Sequence, residues 1–345
     1  MDSLFSHPLI SPIHYHHQSF LQITGLNLRT HHFVEQLIEW TMLGHRYTEK
    51  QTEDLNQAEL KWVCKGKQVS KLQYQYFTIS SREDLLFHLS LKKGSILSRY
   101  MGIIQQQIDI SDYVLKMNGL LEQIALVYQQ INLDKNLNLS YQVKPIQIKE
   151  INSTYLEPLI SLNQLQSLEF MSTDELFEEI IRILEVSLLQ SEKPFLLKLN
   201  HLGKLLDGKK LQEILSRLYQ LSVKYPLEII NIAQTSEELL MNEEVVESII
   251  VCGERIEQLE DYASIKDYIT RNYPKIYDDD QLLSRLQRIV PYLFTPKGSH
   301  YVSSYLDQVC FVLLNQGMGY FEYQSLEVEK VNTLEWNFLR NHLYK

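Results

Sequence analysis

The stretch from Pro194 to Gln234, PFLLKLNHLGKLLDGKKLQEILSRLYQLSVKYPLEIINIAQ, constrains the fold of this chain more than any other. Phe195 to Leu199 and Leu227 to Ala233 are apolar runs too short for helices, and they read as buried parallel strands. Between them Leu211, Ile214, Leu215, Leu218 and Leu221 recur at spacings of three and four. Lys209, Lys210, Glu213, Arg217 and Lys224 fall on the opposite face of the same helix. Parallel strands need a crossover, so the stretch predicts a β-α-β unit and an α/β class of fold.

The rest of the chain is read outward from this unit. Phe20 to Ile23 is a short apolar run that ends at Thr24-Gly25. Phe33, Leu37, Ile38 and Trp40 follow at helical spacing, which is the strand, turn and helix setting of a phosphate-binding loop. Counted from Gly25 in the pattern G-x-x-x-x-G-K-[ST], Thr30 stands for the second glycine, His31 for the lysine and His32 for the hydroxyl residue. The loop therefore lacks both the point charge for the β- and γ-phosphates and a magnesium ligand. In the same way, the first strand of the crossover unit ends in Asn200-His201 where a nucleotide hydrolase needs an acidic pair. An amide orders a magnesium shell poorly, and an imidazole is a weak choice for polarising water.

Lys61, Lys65, Lys67 and Lys71 occur without an intervening acid and are followed by the alternating run Tyr74-Gln75-Tyr76-Phe77. Basic residues beside aromatics suit a phosphate-backbone groove, although a solvated hairpin has the same composition. Lys92 and Lys93, with Arg99, form a second basic cluster. From Ser95 to Ile131 the pattern is helical, divided at Asp109–Asp112, which predicts two amphipathic helices paired as a hairpin. A strand is expected over Leu139–Ile148, a helix over Thr173–Leu189, and a helix before the strand Ile249–Cys252. Beyond Gly253 three helical patterns appear, at Ile256–Ile269, Leu282–Leu293 and Tyr301–Leu314. The tail from Gly319 carries too many aromatics for a disordered end, so it is expected to dock.

Composition narrows the function classes. A chain of 345 residues exceeds the size at which one core keeps growing, which predicts a main domain with appendages. The net charge of −10 argues against a wholly basic nucleic-acid coat and leaves a local groove open. Much of the excess lies in Glu237–Asp261, read as a solvated acidic face. The three cysteines, Cys64, Cys252 and Cys310, show no zinc-ligand or disulfide spacing. His14, His16 and His17, and the pair His31-His32, have no acidic or cysteine partner nearby in sequence, so no metal site is expected. Asp278-Asp279-Asp280 lacks the alternation of a calcium loop and reads as a helix cap. No leader pattern and no membrane-length apolar run is present, which predicts a cytoplasmic protein.

The Leu206-Asp207 pair after Asn200-His201 resembles the turn that follows the Walker B strand of ABC-type ATPases, with Gln234 where the switch histidine belongs. The order of a degenerate phosphate loop, a helical insertion near Leu91–Leu133, a degenerate Walker B strand and a switch strand resembles the Csn2 family of type II-A CRISPR spacer acquisition. Its long form, with a C-terminal extension, is the nearest fit, and the likeness covers residues 20 to 253. The resemblance implies an α/β, degenerate P-loop or ABC-ATPase-like head over residues 1–90 and 134–253. It further implies a helical leg over 91–133 and a mainly helical C-terminal extension over 254–345. It also implies a non-catalytic homotetrameric ring in CRISPR adaptation that binds the ends of double-stranded DNA, with the CRISPR integrase and effector nuclease as partners.

On that reading Lys61, Lys65, Lys67, Lys71, Lys92 and Lys93 contact DNA. Gly25, Thr30, His31, His32, Asn200, His201 and Asp207 are then the remnant of a nucleotide site. No cofactor is required. Smaller members hold calcium after the legs, where this chain has Asn132-Leu133-Asp134-Lys135-Asn136, a poor site with a single carboxylate. Two other functions fit the residues: an ATPase using His31, His201 or Asp207, and a protein-interaction scaffold that takes neither DNA nor nucleotide.

Overall fold

The structure is a computed structural model that describes residues 3–55, 60–130, 142–156, 160–161, 165–273, 278–296, 298–322 and 334–343. The chain divides into two compact units, one of residues 1–81 with 192–345 and one of residues 82–191.

The first unit opens with strands β1 (Ser3–Ser6) and β2 (Ile13–Tyr15), neither of which the apolar pattern had marked. Strand β3 (Phe20–Thr24) is buried along its whole length and feeds helix α1 (Leu28–Leu43). A short helix α2 (Glu49–Asp54) precedes strands β4 (Lys61–Cys64), β5 (Lys67–Gln68) and β6 (Gln75–Ile79). β4 and β5 form a hairpin closed by two residues, with Cys64 opposite Lys67. Lys65 and Gly66 both adopt positive φ, 49° and 73°. That is the turn whose twist matches paired strands. β2, β1, β4 and β5 make a small antiparallel sheet.

The second unit contains α3 (Arg82–His88), α4 (Ile96–Gln107), α5 (Ser111–Gln130), α6 (Ile148–Tyr155), the short strands β7 (Ile160–Ser161) and β8 (Leu165–Gln166), and α7 (Thr173–Leu188). α7 begins with a full capping box in which Ser172 and Glu175 bond each other's backbone N–H groups. α3 and α4 both pack on α7. Leu176, Phe177, Ile180, Ile181 and Leu184 of α7 are buried, whereas α5 leaves Leu115, Leu120, Ile124 and Val127 exposed. The sequence expectation paired α4 with α5, but the packing partners of α4 are α3 and α7. The expected strand over Leu139–Ile148 is also corrected. Residues 142–147 carry no strand, and Ile148 starts α6 behind a capping box between Gln147 and Glu150. Pro145 lacks the N–H that a strand ladder needs.

The chain then returns to the first unit through β9 (Phe195–Asn200), α8 (Gly208–Lys224) and β10 (Leu227–Ile232), the predicted crossover. Strand β11 (Ile249–Cys252) and strand β12 (Ile256–Gln258) follow. The six-stranded sheet runs β12-β11-β3-β10-β9-β6, parallel except for β12. One face, with Leu21, Ile23, Leu196, Ile230 and Ile232, packs with α1 and the small sheet. α8 packs on β10, with Leu211, Ile214, Leu215 and Leu218 essentially without solvent contact. Each such side chain contributes about 1.5–3 kcal/mol of burial energy, so the stripe anticipated from spacing anchors the unit.

Helices α9 (Tyr262–Asn272), α10 (Asp279–Ile289), α11 (Tyr305–Gly317) and α12 (Leu334–Leu343) complete the first unit. They share one core with Leu239, Val246, Ile249 and Val251 beside the sheet. The helix expected from Ile256 is shorter, because Ile256–Gln258 pairs antiparallel with β11 and Asp261 caps the helix by accepting from Ser264 N–H. The helix expected before β11 is replaced by two 3-10 turns, Ser236–Glu238 and Val246–Ser248. The tail does dock where it is described, through buried Tyr320 and through Phe338, which lies edge-on to Tyr273.

Candidate functional site

The turn after β3 is shorter than a phosphate loop. Asn27 already caps α1, its side chain accepting from Thr30 N–H at 3.1 Å, so Thr30, His31 and His32 lie in the first turns of the helix instead of in a loop. Gly25 has φ +123°, and a Cβ placed there would meet the Cys252 carbonyl oxygen at 2.2 Å. The glycine is thus required by the close approach of β11. Thr30 and His31 are each 2 % exposed, whereas His32 is exposed and lies beside Phe33. The His31 ring sits next to the backbone of Thr24, yet neither nitrogen finds hydrogen-bond geometry among the described residues. Burial pushes its pKa below the ordinary histidine value.

At the carboxyl ends of the central strands, where open α/β sheets take ligands, some polar groups pair with one another, while Thr24 Oγ1, both His31 nitrogens, Asn200 Oδ1 and His201 Nδ1 are buried without a hydrogen-bond partner among the described residues. Asn200 donates its amide to Glu35 of α1 at 2.8 Å. Two residues earlier on the same strand, buried Lys198 is paired with Glu39, one helical turn from Glu35. His201 adopts a left-handed conformation, φ 56°, and begins the 3-10 turn that follows β9. Asp207 caps α8 by accepting from Lys210 N–H at 2.9 Å, which accounts for the Leu-Asp pair in local structural terms. The Glu238 carboxylate is 3 % exposed and accepts from the backbone N–H groups of Gly203, at 2.7 Å, and of Gln234 and Thr235, at 2.6 and 3.2 Å. One member of the acidic run is therefore an internal carboxylate held by two strand-end loops, and the reading of that run as a solvated face is corrected.

Lys61, Lys65 and Lys67 are exposed on the β4–β5 hairpin, which also carries the buried Trp62 and Cys64. Lys71 is also exposed, with its ammonium group beside Gly44 at the C-terminal end of α1. That is a favourable place for a cation against the helix dipole. Lys92 and Lys93 are exposed in the turn between α3 and α4 of the second unit. The structure thus gathers four of the six lysines in one unit, three of them on one hairpin.

The family description "CRISPR-associated protein Csn2 subfamily St" matches residues 5–340. The chain belongs to the Csn2 family. Among solved structures, Stu0660 of Streptococcus thermophilus has the same fold, with a TM-score of 0.83, 22 % identity and 99 % of each chain covered. No curated protein matches the chain. Membership gives this Csn2 chain a CRISPR-associated role in adaptation. Among the described residues no helix is long and apolar enough to cross a membrane.

Sequence reasoning passed over Lys198, Glu35, Glu39 and Glu238 in this Csn2 chain. The i, i+4 spacing of Glu35 and Glu39 put them on one helical face. Lys198 was a charge inside an otherwise apolar strand, a signal that it must be paired. The stretch Asn132–Asn136, named for calcium, lies outside the described residues. Asp278 caps α10 by accepting from Gln281 N–H, and Asp279 pairs with Lys266, in keeping with a capping role for the aspartate run.

Proposed function

We propose that this chain is a non-catalytic adaptation protein, with a degenerate nucleotide-hydrolase head, that assembles as a homotetrameric ring and binds the ends of double-stranded DNA. The observation that carries the non-catalytic reading is the closure of the strand ends. α1 starts at Leu28, Asn200 is held by Glu35, Lys198 by Glu39, and Glu238 fills the backbone N–H groups beside β9 and β10. A triphosphate would have to displace the Asn200–Glu35 and Lys198–Glu39 pairs and would find neither the loop lysine nor the acidic pair that Asn200-His201 replaces. The parallel sheet, with the β3–α1 turn at its centre, supports descent from a nucleotide-binding frame.

DNA binding is supported by the exposed lysines of the β4–β5 hairpin, which a ring would repeat in every subunit. Contacts of this kind read the phosphate backbone and not the bases. The integrase and effector nuclease of the same system are the partners this reading carries.

The test is binding of linear and closed circular duplex of one sequence across a salt series. The expected result is a preference for linear DNA and a steep salt slope. Lys61→Ala/Lys65→Ala/Lys67→Ala should reduce that slope by about 2.7 for each hairpin that touches DNA, at about 0.9 per contact. Equal affinity for circle and line would remove threading, and an unchanged slope would clear the hairpin. ATP turnover should be absent. Turnover that disappears in His201→Ala would instead establish an ATPase with unusual residues.

A further inference from the structure

Three residues from separate parts of the first unit meet beneath the basic hairpin. His17 lies in the connection from β2 to β3, Cys64 ends β4, and Glu228 is the second residue of β10. His17 Nδ1 is 3.1 Å from Cys64 Sγ, and His17 Nε2 is 3.6 Å from Glu228 Oε1. One ligand atom from each residue can be chosen so that all three lie within 4.8 Å of one another. The expectation that His17 lacks a cysteine or acidic partner is corrected here, because the sheet brings together residues far apart in sequence.

We propose that His17, Cys64 and Glu228 bind one divalent cation of the zinc class. Thiolate, imidazole and carboxylate on one centre form a ligand set that suits zinc and excludes calcium or magnesium, which take oxygen ligands. In a tetrahedral zinc site, sulfur and nitrogen ligands lie about 3.6 Å apart, and nitrogen and oxygen about 3.4 Å, from the usual bond lengths. The 3.1 Å from the Cys64 sulfur to His17 Nδ1 needs to open by about half an ångström, and because the 3.6 Å contact to Glu228 is made by Nε2 and one imidazole gives one nitrogen to a given ion, the Glu228 side chain or the His17 ring must also turn for all three to ligate. Three protein ligands leave a fourth position for water.

The surroundings are those of a supported site. The Tyr74 hydroxyl donates to Glu228 Oε1 at 2.9 Å, which orients the carboxylate as an outer-shell partner does. Burial pushes the Glu228 pKa up, with the Tyr74 hydrogen bond and then the Lys65 charge opposing the rise. A cation between the three groups would offset the burial of that carboxylate. Bound there, the metal would tie the small sheet and the β2–β3 connection to β10. It would also fix the turn at Lys65 and the start of β5 at Lys67, so metal and DNA contacts would share one hairpin.

The experiment uses the full chain, stripped of metal by a chelator and titrated with cobalt(II) and then with zinc(II). One cobalt per chain should bind with a thiolate-to-cobalt band in the near ultraviolet, and zinc should bleach it. Cys64→Ser should abolish the band, and His17→Gln and Glu228→Gln should each weaken binding at least about tenfold. Zinc should raise the melting temperature of the wild type and leave that of Cys64→Ser unchanged. If Cys64→Ser does not fold, the other two variants decide the matter. Absence of the band at excess cobalt, its survival in Cys64→Ser, or undiminished affinity in both His17→Gln and Glu228→Gln would overturn the site. None of these readouts depends on whether the chain binds DNA.

Discussion

Replacing Glu39 by glutamine removes the carboxylate that answers Lys198, whose side chain is 3 % exposed against 42 % for Glu39. Breaking a fully buried pair costs about 3–5 kcal/mol, because the remaining charge is stranded, whereas exposed pairs contribute about 0–1. With one partner sealed and the other nearly half in water, solvent screens part of the loss. The expected cost is about 2–3 kcal/mol. Lys198→Met removes the charge that would be stranded and keeps a chain of similar length, so it should cost less than about 1.5 kcal/mol. In that background Glu39→Gln should be nearly silent, giving a coupling energy of about 2 kcal/mol in the double-mutant cycle. Urea unfolding followed by tryptophan fluorescence is the assay, since Trp40, Trp62 and Trp336 all fall in the first unit. At a slope of about 3 kcal/mol/M the single Glu39→Gln variant should lose up to about 1 M in midpoint. If Glu39→Gln costs the same with and without Lys198, the pair is not what joins α1 to β9. A closed, charge-satisfied strand end would then lose its main support.

Acid should expose the buried histidines. Burial lowers the His31 pKa below 6.5, so below that pH the unfolded chain takes a proton the folded chain refuses, and stability falls as pH falls. His7, shifted the same way by burial, acts in the same window. His31→Leu should therefore shrink the loss of melting temperature between pH 7.5 and pH 5.5, and an unchanged loss would show that His31 is protonated in the fold. For assembly, Leu120 is 60 % exposed and Ile124 52 % on α5, so Leu120→Asp should leave a single chain folded while splitting the proposed tetramer by light scattering. A tetramer that persists would move the assembly surface away from α5.

What the sequence determined by itself was whatever is encoded locally and periodically. The stripe of α8, the two strands beside it and the capping aspartate at 278 were legible because spacing and caps need no tertiary partner. The same reading failed where a distant segment overrode local pattern. Ile256–Gln258 became strand because β11 left an edge to pair with, and Glu238 became buried because the loops after β9 and β10 offered it three N–H groups. The candidate site divides along the same line. The departures from the nucleotide-hydrolase pattern at Thr30, His31, Asn200 and His201 are visible in the chain itself. That Glu35 and Glu39 meet Asn200 and Lys198, that Glu238 closes on the loops after β9 and β10, and that His17 meets Cys64 and Glu228 was decided only in the tertiary structure, where the parallel ladder sets β3, β10 and β9 side by side and the small antiparallel sheet brings in β4. Local pattern fixes which face of an element is apolar, and the long-range ladder fixes which polar groups that face encloses.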